Sequence, residues 1–181
     1  SVQKPSIDKL GDRRAVWIAA YDPSSHLGKG SVPMFWVNGT HDIHYPLDSH
    51  AKSAALPKGP RAFRIQPRMA HGHPPGWAPK EIGIYVDSLL KGGIPLPEVG
   101  EMLVEGGTVS VPVQSKTRLT QAELHFTSAG GKRSDREWKM VPARIEEGKV
   151  VAEGLPAEAN TWLVTITDER GAMVTTAVGV R

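Results

Sequence analysis

Two short stretches hold side chains able to pass a proton. "NGTHD" ends at Asp42, and "MAHGH" carries His71 and His73 one residue apart. A carboxylate that accepts the Nδ1 proton of an imidazole fixes its tautomer. It also stabilises the imidazolium formed when Nε2 takes up a second proton. That second proton usually comes from a serine hydroxyl, which thereby becomes a nucleophile. In one large class of hydrolases the three groups occur in the chain order Ser, acid, His. Asp42 before His71 matches the last two places in that order.

Such a pair works only if the backbone brings it together. "VPMFWV" (32–37) is an unbroken apolar run of strand length, the pattern of a strand covered on both faces. "RAFRIQ" (61–66) is the next predicted strand, and "PLDSHAKSAAL" (46–56) reads as a helix between them, with Pro46 in its first turn. "DRRAVWIAAY" (12–21) suits a further helix that stops at Asp22-Pro23. After the histidines, "PKEIGIYVDSLLKGG" (79–93) places Ile82, Tyr85, Val86, Leu89 and Leu90 on one stripe and ends in two glycines. Strand, loop, helix, strand, loop, helix implies two parallel units, with Asp42 and His71 at the carboxyl ends of neighbouring strands.

Pro and Gly gather at "GGIPLPEVGE" (92–101), where the periodicity changes. The region beyond alternates with period two. It predicts strands near 108–113, 121–127, 136–142, 149–154, 161–167 and 172–180, with "DERG" as a hairpin turn. Six short strands in that span suggest an immunoglobulin-like or fibronectin-like sandwich, with Trp138 and Trp162 in its core. The expected organisation is therefore α/β over 1–97, followed by an all-β sandwich over 98–181.

The stretch from "VPMFWVNGTHD" through "RMAHGHPPGW" to "SLLKGG" resembles the C-terminal part of an α/β-hydrolase, in particular bacterial acetyl xylan esterase-like and dipeptidyl aminopeptidase-like serine hydrolases. "AELHFTSAGG" and "WLVTITDERGAMV" resemble a β-rich addition found in some of them. The resemblance implies ester hydrolysis without a cofactor, Asp42 as the orienting acid and His71 as the general base. His73 is the alternative base, and His73 and Trp77 are candidates for the leaving-group side. The family's G-x-S-x-G nucleophile elbow does not occur in this sequence. The resemblance places it upstream of Ser1, so this chain alone is expected to be inactive. The expected partners are that upstream portion, in the same polypeptide or as a separate chain, or further copies covering an open sheet edge.

Composition removes several other classes. With no cysteine, neither disulfides nor thiolate metal sites can form. A net charge of +3 with scattered signs provides no basic surface for nucleic acid. No apolar run reaches the ~20 residues of a membrane-spanning helix. Two alternatives to catalysis stay open. His41, Asp42, His44, Asp48, His50, His71 and His73 are dense enough to suggest a divalent metal site, although they follow no metal motif and His50 falls on a predicted helix face. A carbohydrate- or protein-binding module built on the sandwich is the other.

Overall fold

The computed structural model describes residues 4–181. The first elements are helical: α1 (Lys4–Asp8), α2 (Arg13–Tyr21) and α3 (Ser24–Leu27). Then β1 (Met34–His41), α4 (Leu47–Ala54) and β2 (Arg61–Ala70) form a strand-helix-strand unit in which β1 and β2 run parallel. Two helices come next, α5 (His73–Trp77) and α6 (Glu81–Leu90). Past the Pro/Gly stretch the chain is β throughout. β3 (Glu98–Val99), β4 (Leu103–Glu105), β5 (Thr108–Gln114) and β6 (Leu119–Thr127) precede a 3-10 turn at Arg133–Asp135. β7 (Lys139–Pro142), β8 (Arg144–Glu146), β9 (Lys149–Ala152), β10 (Thr161–Asp168), β11 (Met173–Thr175) and β12 (Gly179–Val180) complete it.

These strands form two sheets. One is seven-stranded, in the order β1-β2-β11-β10-β6-β7, with β12 also paired to β10; the other has β3 and β4 on β5, then β9 and β8. The sheets face one another across a single core. Val109, Val111 and Val150 from one meet Leu124, Val164 and Ile166 from the other, all six fully buried. Each such side chain contributes about 1.5–3 kcal/mol by leaving water, so this layer is the main source of stability. Trp162 belongs to that core and Trp138 to a smaller cluster on the opposite face of the larger sheet, with Leu47, Ile65 and Leu163.

The expected fold class is overturned. The chain does not form part of an α/β-hydrolase parallel sheet followed by a separate sandwich. It is mainly β, and the one parallel pair among the described residues, β1 with β2, is an extension of a mixed sheet. The free side of β2 is taken by β11, which runs antiparallel to it, with Thr175 opposite Phe63 and Thr175 Oγ1 accepting the Ile65 N–H at 3.3 Å. The physical reason lies in strand pairing. An unpaired strand edge leaves backbone N–H and C=O groups open, and the short β11 of the β10–β11 hairpin, from the far half of the chain, covers part of that edge.

Local packing also departs from the periodic pattern. α6 does not bury the stripe read from the sequence: Val86, Leu89 and Leu90 are exposed, while Ile84 and Tyr85 pack against the core. Tyr85 stacks on Phe35 of β1 at 5.1 Å between ring centroids. The one fully enclosed residue of α6 is Glu81, whose carboxylate accepts the Met173 N–H at 2.7 Å and pairs with Arg64 at 3.3 Å. That polar anchor sets the rotation of the helix, because leaving Glu81 buried and unpaired would cost more than exposing apolar residues at the helix end. α4 covers the other face of β1, so this end of the sheet has a helix on each side. Among the described residues no helix is long and apolar enough to cross a membrane.

Candidate functional site

Asp42 directly follows β1, and His71 directly follows β2. Parallel pairing alone would leave them near one another but not in contact. From Met34↔Arg61 to Gly39↔Gln66 the register is regular; the next pair is His41↔Ala70, so β1 advances two positions while β2 advances four. The two extra residues, Pro67 and Arg68, form a bulge. Arg68 takes a left-handed φ of 62°, and its N–H donates to Thr40 Oγ1 at 2.7 Å. A bulge bends its strand and re-aims the residues beyond it, and this one swings the end of β2 across β1. Gly39 makes that crossing possible: a Cβ there would lie 2.0 Å from the Met69 carbonyl oxygen.

At the crossing His71 Nδ1 lies 2.9 Å from Asp42 Oδ2. With a carboxylate as acceptor, Nδ1 carries the proton and Nε2 is left as the basic nitrogen. The other carboxylate oxygen, Oδ1, accepts the backbone N–H groups of His44 at 2.7 Å and Tyr45 at 2.8 Å. The 42–45 turn is held in its own right, since Asn38 Nδ2 donates to the Tyr45 carbonyl at 2.9 Å and Asn38 is buried. Asp42 is therefore fixed from both sides and almost fully enclosed, whereas about a third of the His71 side chain, 32%, stays in contact with solvent. His44 packs against the His71 ring at 4.3 Å and Tyr45 at 5.6 Å. Among the described residues Nε2 of His71 makes no hydrogen bond.

A cleft of about 630 Å³ opens beside the pair, bounded by β1, α3, α4 and the ends of both strands. That volume is in the usual range for small-molecule sites. Trp36 and His50 form part of its wall, with their rings edge to face at 5.5 Å. His50, on a predicted helix face, is buried at 9% exposure, and both its ring nitrogens lack a hydrogen-bond partner among the described residues. Burial pushes its pKa from 6.5 down to about 4, against the opposing pull of the Asp42 charge. Residue type alone does not distinguish a buried helix histidine from a solvated one. The usable signal is position: His50 lies three residues after Leu47, on the face of α4 that turns toward the sheet.

The other sequence candidates fall elsewhere. His73 does not reach Asp42; its ring stands 6.4 Å from that of His71 and edge-on to Trp77 at 5.1 Å. Neither His73 nor Trp77 lines the cleft, and Trp77 is 75% exposed. His41 Nε2 contacts the Arg136 carbonyl at 3.1 Å, and Asp48 borders a separate hollow with Leu47 and Arg136. Among the described residues no three His, Asp or Glu side chains are grouped as ligands of a metal ion. Of the His/Asp set read from the sequence, Asp42, His44, His50 and His71 line one cleft, while His41 and Asp48 lie apart from it. Trp138 and Trp162, expected in a core, are both buried and offer no aromatic binding surface on the sandwich.

No protein-family model matches the sequence, and no curated protein matches it. Among solved structures, a carbohydrate-binding module family 56 β-1,3-glucan binding domain is similar, at 17% identity. The match covers 48% of this chain and 98% of that one, with a TM-score of 0.31. A score at that level lies below what two domains of one fold share, so it assigns neither fold nor ligand. The site is defined by its own geometry: an Asp-His pair at the crossed ends of two parallel strands, beside an open cleft.

Proposed function

We propose that the Asp42–His71 pair is the proton-transfer half of a site that hydrolyses carboxylic esters, with the nucleophilic serine carried by a segment outside this sequence. The observation that supports this reading is the 2.9 Å contact between His71 Nδ1 and a buried, doubly anchored carboxylate. In the reaction the serine oxygen attacks the ester carbonyl as its proton passes to Nε2 of His71. Asp42 holds the ring and balances the imidazolium. Collapse of the tetrahedral adduct expels the alcohol, which takes the proton from Nε2, and a water repeats the cycle to release the acid. No cofactor is required. The segment with the serine, from the same polypeptide, a separate chain or another copy, would lie along the outer edge of β1, the end strand of its sheet.

Two measurements test this. In the protein carrying the nucleophile, His71→Ala lowers the turnover of a p-nitrophenyl ester by about 10³-fold or more, while His73→Ala leaves it within about two-fold. Near-full activity in His71→Ala ends the proposal. In the present chain the His71 Nδ1 proton gives a low-field NMR resonance that disappears in Asp42→Asn. A second reading, a carbohydrate- or protein-binding module without turnover, is favoured by one observation: among the described residues no hydroxyl is hydrogen-bonded to His71. It predicts saturable ligand binding that survives His71→Ala unchanged.

A further inference from the structure

We propose that the cleft beside Asp42 and His71 binds an uncharged, largely apolar acyl group and rejects acyl groups that end in a carboxylate or phosphate. This rests on the ester-hydrolysis reading and narrows its substrate class. Leu27, Trp36, Val37 and Met69 supply the apolar part of the wall. Its carboxylates are Asp22 and Asp42, and among the described residues no lysine or arginine lines it. An anion entering such a space gives up its hydration and meets no counter-charge, a loss that apolar contact does not replace. Three histidines, His44, His50 and His71, line it, and burial keeps the His50 ring neutral. A protonated His71 is already balanced by the carboxylate it touches. An uncharged chain suffers none of these penalties and gains from each apolar carbon it buries.

Butyramide and succinamate share the amide end and differ in a terminal methyl against a terminal carboxylate, so they separate the two cases. The chain is titrated with each, well above the ordinary histidine pKa. The readouts are the Trp36 indole N–H resonance, assigned by its loss in Trp36→Phe, and the His71 Nδ1 proton. Butyramide is expected to shift the Trp36 signal saturably, and succinamate to bind at least about ten-fold more weakly. Ser53→Lys places a cation on the α4 side of the wall and is expected to remove that disadvantage, while Ser53→Gln retains it. Equal or tighter succinamate binding to the unaltered chain overturns the proposal, as does a Trp36 signal that butyramide leaves unmoved. The His71 Nδ1 proton is read in the same spectra. Its presence with a failed cleft refutes the substrate class alone, whereas its absence refutes the proton-transfer pair.

Discussion

His50 makes the stability of this protein depend on pH in a way that one substitution isolates. Its ring lies edge-on to Trp36 at 5.5 Å and near Phe63 at 6.3 Å, with both nitrogens enclosed. Burial lowers its pKa from 6.5 to about 4. The unfolded chain titrates near the higher value. Between the two, the unfolded chain binds a proton that the folded chain refuses. Stability is thus complete above pH 6.5, declines as pH falls, and levels off below about 4. At about 1.4 kcal/mol per pH unit, the full interval corresponds to about 3 kcal/mol. His50→Leu keeps the volume and removes the titration. Urea unfolding of both proteins from neutral pH to about 4 gives a difference in which every shared group cancels, including His125, which burial also lowers. The advantage of His50→Leu should grow by about 3 kcal/mol across that range. At neutral pH the variant should be at least as stable as the parent, because two unpartnered buried nitrogens are gone. A difference that stays constant with pH would refute the reasoning, since the ring would then take up its proton equally well in both states.

Other consequences arise from how the site and sheet are joined. Gly39→Ala puts a methyl group 2.0 Å from the Met69 carbonyl oxygen, so the strand ends must separate. The low-field His71 proton should vanish, and the denaturation midpoint should fall by an amount equivalent to about 1–3 kcal/mol. Arg170 bridges Asp168, whose side chain is fully buried, to the carbonyls of Ile94 and Pro95. Arg170→Ala should therefore cost about 3–5 kcal/mol in chemical denaturation, and adding Asp168→Asn should recover part of that loss. Because β2 pairs with β11, the whole chain should unfold in one calorimetric transition, and a fragment of residues 1–97 should not fold by itself. Two separate transitions would contradict this.

The parts of the fold that were legible in the sequence are those governed by local physics. Helices at Arg13–Tyr21 and Leu47–Ala54, and most strands of the second half, lie within a few residues of where periodicity and turn residues place them. The sequence could not reveal which strand closes the free side of β2. That choice depends on the pairing of Phe63 with Thr175, far apart along the chain, and no local pattern encodes it. "VPMFWV" illustrates the ambiguity. An unbroken apolar run is what a central parallel strand needs, yet the same run serves an end strand with a helix against each face, Trp36 toward α4 and Phe35 toward α6. The stripe on α6 misleads for a similar reason. Five apolar positions compete with one carboxylate, and the Glu81 carboxylate decides the rotation because it has two partners in the interior.

The pair itself was legible because each residue comes just after a strand, and strand ends in a parallel unit lie close together. Its contact distance was not, because it depends on the bulge. Without the bulge, the regular register of Gly39 with Gln66 would continue and bring Met69, not His71, level with Asp42. Nothing about "QPRMAHGH" identifies Pro67 as part of a bulge rather than the end of β2. The left-handed Arg68, the Thr40 hydroxyl that takes its N–H and the glycine that lets the chains cross act together, and only a fold shows them together. The same bulge also sets the depth of the cleft, since Met69 and Ala70 form its wall just before His71. One irregularity in one strand thus positions the base and shapes the space beside it. A deletion within the bulge should therefore remove the Asp42–His71 hydrogen bond and the cleft at once, whereas a change at the far end of β2 should affect neither; the low-field His71 proton and the Trp36 response to butyramide report the two losses separately.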